Sequence, residues 1–116
     1  MSPPPLAQVR VDWRGDLPVA SIEGEIDASN AGELGTELRG LVTNRSRRLV
    51  IDLGPTQYLD SAGINLLFNL EEELRAHQVV LRLVVDPESS VKRMLSLTGL
   101  DKTVPTFPTV AAALDT

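Results

Sequence analysis

The segment from Arg48 to Ala76 constrains the fold more than any other part of the chain. Arg48-Leu49-Val50-Ile51-Asp52-Leu53 is a short apolar run with a polar stop, the pattern of a buried strand. From Ile64 to Ala76 apolar residues recur with helical period, and Arg75 and His77 supply the basic last turn that suits a helix C-terminus. Tyr58-Leu59-Asp60-Ser61-Ala62-Gly63-Ile64 is therefore a strand-to-helix junction. Asp60 or Ser61 is placed to cap the helix, beside amide N–H groups that have no partner within it. Gly63 lets another backbone approach closely.

Around this unit the chain alternates. Residues 1–7, with three consecutive prolines, read as a disordered tail, and 8–116 as one domain. Val9 to Trp13 alternates apolar and polar residues, Arg14-Gly15-Asp16 supplies a turn, and Val19 to Ile26 follows as a second strand, giving an N-terminal hairpin. Asp27 or Ser29 caps a helix expected from Asn30 to Val42, whose apolar stripe is Ala31, Leu34, Leu38, Leu41 and Val42. The strand Leu49–Leu53 is apolar on both faces and so central. Val79 to Val85 is another buried strand, Glu88 to Leu97 a short helix stopped by Gly99. Val104 starts a short edge strand, and Thr109 to Leu114 forms a last helical turn or two. The fold class is α/β: a mixed sheet of four to five strands with an N-terminal hairpin and about four helices packed on it.

At about 100° per residue, Gly63, Leu66, Leu67, Leu70 and Leu74 share the core-facing stripe of the central helix. Ile64 and Phe68 fall outside it, on the same side as Ser61, Asn65 and Glu72. An apolar pair rimmed by polar groups has the composition of an interface, so Ile64, Asn65, Phe68 and Ala62 are candidate partner contacts.

Composition removes several chemistries. The chain has no cysteine, hence no disulfide, zinc-thiolate site or thiol switch. A net charge of −5 over 116 residues argues against general nucleic-acid binding, which needs a basic face. The basic cluster Arg45-Ser46-Arg47-Arg48 reads as a solvated loop. No apolar run approaches membrane-spanning length and no signal peptide is present, so no membrane insertion is expected and the cytoplasm is the default location. His77, the one histidine, lies about four turns from Ser61 and suits the helix dipole. With no Gly-x-Ser-x-Gly elbow and no phosphate loop, neither a serine hydrolase nor that type of ATP site is indicated. Asp27, Asp52 and Asp60 are scattered acids at element ends, which read as caps rather than metal ligands. No catalytic residue, cofactor or metal is expected.

The string Asp52-Leu53-Gly54-Pro55-Thr56-Gln57-Tyr58-Leu59-Asp60-Ser61-Ala62-Gly63-Ile64 resembles the signature of STAS domains, in particular of anti-sigma-factor antagonists. The resemblance extends to Gly24-Glu25-Ile26-Asp27 upstream and to Val91–Leu100 downstream, three blocks in order across nearly the whole chain. It implies a bacterial regulator of transcription and stress response that works by partner switching. The dephosphorylated protein would bind an anti-sigma factor, itself a serine kinase, and free the sigma factor. That kinase would phosphorylate Ser61, and a PP2C-type phosphatase would reverse it. The resemblance makes Asp60 the flanking acid and Asp27 an acid near the acceptor, with Gly63 completing the phosphosite. Ala62 departs from the family's Asp-Ser-Ser/Thr-Gly by lacking a second hydroxyl. The alternatives are a non-phosphorylated STAS scaffold, as in membrane-lipid transport complexes, and a receiver-like phospho-aspartate domain. The receiver is disfavoured because Glu23, Glu25 and Asp27 are dispersed and Lys102 follows no clear strand.

Overall fold

The computed structural model describes residues 5–115. A hairpin opens the fold: β1 (Ala7–Arg14) runs antiparallel to β2 (Leu17–Ile26) around Gly15-Asp16. Gly15 has φ +62° and occupies the first central position of this two-residue turn, where a side chain is strained. The remaining strands join in parallel: β3 (Arg48–Asp52) beside β2, β5 (Val80–Val84) beside β3, and β6 (Thr106–Phe107) beside β5 at the edge. A further strand, β4 (Thr56–Leu59), pairs with the last residues of β2, after an irregularity between Gly24 and Glu25. Gly24 has φ +111°, and a Cβ there would lie 2.2 Å from the Leu6 carbonyl oxygen, so only glycine fits the bulge.

Five helices are described: α1 (Ala31–Arg39), α2 (Ser61–Ala76), α3 (Ser90–Leu97), α4 (Leu100–Thr103) and α5 (Val110–Leu114). Strand parity divides the core. Ala20, Ile22 and Ile26 of β2, Leu49 and Ile51 of β3, and Leu81 and Leu83 of β5 meet Leu38 of α1 and Leu67 and Leu70 of α2. Each leucine so buried contributes about 1.5–3 kcal/mol over its exposed state. On the other face Val19, Val50 and Val84 are covered by Ala113 of the short α5. Two arginines reach the carbonyls ending that helix: Arg82 Nη1 donates to Ala113 and Asp115 oxygens at 2.8 and 3.0 Å, and Arg48 Nη1 to Leu114 at 3.3 Å. They satisfy acceptors that have no helical partner.

The expected hairpin, buried strands and helices are present, with five corrections. Residues 1–4 of the expected tail lie outside the described residues, and Ala7 is already in β1 rather than in a tail. The helix expected over 30–42 spans Ala31–Arg39, and neither Asp27 nor Ser29 caps it; Asn30 is its N-cap residue without a side-chain cap bond. The Asp27 carboxylate is already engaged by the Ser29 amide and hydroxyl. β4 is a strand where only a strand-to-helix junction was expected: its Thr56 and Leu59 are buried while Gln57 and Tyr58 are exposed, so period-2 alternation never shows. Gly99, at φ +79°, does stop α3, but α4 follows at once and packs against α2. In the basic cluster, Arg48 belongs to β3 and Ser46 is buried, its hydroxyl accepting from the Thr43 amide.

Candidate functional site

Two strands deliver the site. β2 and β4 end side by side, Ile26 opposite Leu59, and the Asp60 amide donates to the Ile26 carbonyl at 3.2 Å. The next residue of each strand is an aspartate, so Asp27 and Asp60 leave the sheet as neighbours at one level. This brings together the acids that the sequence had separated by thirty-three positions.

Asp60 is the N-cap residue of α2. Its Oδ1 accepts from the Ala62 amide at 2.8 Å and the Gly63 amide at 3.3 Å, satisfying two of the helix's orphan donors. Ser61 is the first helical residue and is exposed; the cap is made by its neighbour, so its hydroxyl is not needed for it. Gly63 is buried where α2 crosses β2 and β4. A Cβ there would come 2.9 Å from Leu59 Cβ and 3.2 Å from Ile26 Cγ2, so the glycine sets how close the helix start lies to the sheet. Asp27 accepts from the Ser29 hydroxyl and amide, and these bonds hold its carboxyl below the ordinary value of 3.8. Asn30 locks this turn from the other side, accepting from the Asp27 amide at 3.0 Å and donating to the Glu25 carbonyl at 2.8 Å.

The apolar patch expected from Ile64 and Phe68 is corrected. Ile64 is only 4% exposed and belongs to the main core, and Phe68 is half-buried against it. Helix α2 packs against both α1 and α4, with Leu66 facing α1 at Gly35. Burial raises the carboxyl of half-buried Glu71 by desolvation, against the pull of Arg75. Asn65 is exposed and Ala62 half-buried, so these two remain beside Ser61 on the surface.

The sequence reading missed a second surface next to the site. Tyr58 of β4 is exposed, and Leu97 of α3 is 78% exposed. With Leu59, Val91, Arg93 and Met94 they line a shallow cavity of about 220 Å³ between β4 and α3. The available signal was Leu97 itself, a leucine off the stripe formed by Val91, Met94 and Leu95. Among the described residues no group of three or more His, Cys, Asp or Glu gathers as a metal site, and no helix is long and apolar enough to cross a membrane.

A mixed sheet opened by a hairpin, with an aspartate-capped central helix packed on it, is the architecture of the STAS domain. The STAS domain model matches residues 8–113, and the chain belongs to that family. It is similar to the anti-sigma-F factor antagonist RsfB of Mycobacterium tuberculosis, 36% identical over 114 residues that cover 98% of this chain and 92% of that protein. The crystal structure of an anti-sigma factor antagonist from Mycobacterium paratuberculosis superposes with a TM-score of 0.84 at 32% identity, covering 98% of this chain and 96% of that one. The fold is shared with SpoIIAA in its unphosphorylated form, TM-score 0.74 at 18% identity, over 93% of this chain and 94% of that one.

Proposed function

We propose that this chain is a non-enzymatic, cytoplasmic anti-sigma-factor antagonist whose switch is phosphorylation of Ser61. The observation that carries the reading is the division of labour at the start of α2: Asp60 makes the cap bonds, and Ser61 stands exposed beside it. The relatives' function supports the anti-sigma factor as partner. The Asp60-Ser61-Ala62-Gly63 match to the family signature supports a serine kinase activity in that partner and a PP2C-type phosphatase acting in reverse. Among the other hydroxyls, Ser29 is bound to Asp27, and Ser89 accepts from the Lys92 amide and donates to the Asp86 carbonyl. Both are poorly placed to be acceptors. The partner surface is read as Ser61, Ala62 and Asn65 with the adjoining cavity at Tyr58, Met94 and Leu97, and Phe68 at its margin.

The sign of the switch follows from charge. A phosphate on Ser61 brings about −1.5 to −2 charge next to Asp60, with Asp27 on the neighbouring strand end. Two like charges about 6 Å apart at an effective dielectric near 20 repel by roughly 3 kcal/mol before screening. An exposed helix N-terminus returns only about 0.3–1 kcal/mol, and here two of its donors are already occupied by Asp60. Repulsion wins, and a partner surface matched to a neutral serine is lost.

Calorimetry against the cognate anti-sigma factor with ADP present tests this. Ser61→Ala is expected to bind constitutively, and Ser61→Asp or Ser61→Glu at least about tenfold more weakly, roughly 1.4 kcal/mol. Equal affinity for all three would refute the phosphoswitch and leave a scaffold STAS domain. Kinase treatment followed by peptide mapping should place phosphate on Ser61; phosphate on Ser29, Ser89 or Ser90 instead would refute the acceptor assignment.

A further inference from the structure

Among the described residues the outer side of β1 is an unpaired sheet edge eight residues long, with no proline and no lysine to blunt it. Its hydrogen-bonding parity is fixed by the hairpin. Arg14 and Leu17 close the two-residue turn, so even-numbered residues of β1 bond to β2. Two independent observations agree. Pro18, which has no N–H, sits opposite Trp13, and the Leu6 carbonyl accepts from the Glu25 amide at 3.1 Å. The N–H and C=O groups of Ala7, Val9, Val11 and Trp13 therefore point outward. On one face of this edge Val11 and Trp13 are 37% and 47% exposed; on the other stand Arg10 and Asp12.

We propose that two copies of this chain pair β1 against β1, antiparallel, about a two-fold axis centred on Val11. In that register Val11 bonds to its own copy and Val9 exchanges bonds with Trp13 of the other copy, all through outward-facing groups. Valine and tryptophan become cross-strand neighbours on one face. On the opposite face Arg10 of each copy stands against Asp12 of the other. Asp12 already takes Arg14 Nε at 2.8 Å on its own strand, and no described acid pairs with Arg10. Moving the axis to Arg10 would set Arg10 against itself. Moving it to Asp12 would set Asp12 against itself and Arg10 against Arg14. Charge thus selects the Val11 axis over both neighbouring registers, and the contact is isologous, as a closed dimer requires. The inference does not depend on the role of Ser61.

Sedimentation equilibrium of the full chain over a concentration series tests the pairing. The expected result is a monomer–dimer equilibrium, weakened at least about tenfold by R10D and by D12R alone, and recovered when the two variants are mixed or when both substitutions sit in one chain. V11P removes an outward N–H without touching the bonds to β2, and should be monomeric with unchanged circular dichroism. A wild-type chain that stays monomeric up to about 1 mM would overturn the proposal. So would a dimer indifferent to R10D and D12R, or weakened single variants that do not recover on mixing.

Discussion

Helices α1 and α2 leave the sheet side by side, each just after an aspartate that follows a strand, yet their starts are built differently. At α2, Asp60 accepts from the amides of Ala62 and Gly63 and thereby caps the helix. At α1, Asp27 accepts from the amide and hydroxyl of Ser29 and caps nothing. The shared element is the amide two residues after the aspartate, which points back at the carboxylate in both. A hydroxyl at that position, as in Ser29, is captured. A hydroxyl one residue after the aspartate, as in Ser61, is left outside. Ala62 keeps the captured position empty of a second hydroxyl. The spacing between acid and serine therefore decides which hydroxyl is bound by the carboxylate and which is left outside. Packing reinforces the difference: Gly63 and Ile64 are clamped against the sheet, whereas a Cβ on Gly32 of α1 would meet nothing within 4 Å.

The largest expected effect probes that clamp. Ile64→Ala should lower folding stability by about 2–5 kcal/mol in denaturant melts, because the side chain is buried in the main core; a loss below about 1 kcal/mol would restore it to the surface. Gly63→Ala should follow at about 1–3 kcal/mol, since Leu59 Cβ belongs to the helix-bearing strand and has no room to yield. Asp60→Ala removes the cap and should cost about 0.5–2 kcal/mol, with Asp27→Ala affecting helix stability less. Gly32→Ala has the opposite sign: an unobstructed helical glycine becomes alanine, and stability should rise by about 0.4–1 kcal/mol. If Gly32→Ala and Gly63→Ala changed stability alike, the contrast between the two starts would be wrong.

The smallest effect is a titration. The carboxyl of Asp27 is held low in the folded chain, chiefly by the Ser29 hydroxyl. A depressed folded-state pKa contributes stability that is present above the unfolded value and is lost as pH falls through the folded one. Carbon-detected NMR should find Asp27 titrating below 3.8, the ordinary value, and Ser29→Ala should move it upward. The accompanying change in acid stability should be slight, because the group is exposed to solvent.

Much of this was legible in the chain itself. The strands around Val50 and Leu83 announce themselves because a strand buried on both faces reads as an unbroken apolar run. The core stripe of α2 at Gly63, Leu66, Leu67, Leu70 and Leu74 is all buried as helical period requires. Aspartate followed by serine at a strand-to-helix junction fixed the start of that helix, since the local chemistry of a cap involves only residues within three positions.

Three features needed the tertiary structure, each for a reason that lies outside the local string. Ile64 became core because elements distant in sequence close over the flank of α2 that periodicity assigned to solvent. β4 became a strand because β2 extends past β3 and offers its last residues as an edge, with the Thr56 hydroxyl bonded to the Ile22 carbonyl at 2.6 Å. Tyr58 and Leu97 became one surface because α3 packs beside β4. Periodicity tells a residue which way it points along its own element; only the neighbouring elements decide whether anything is there to meet it.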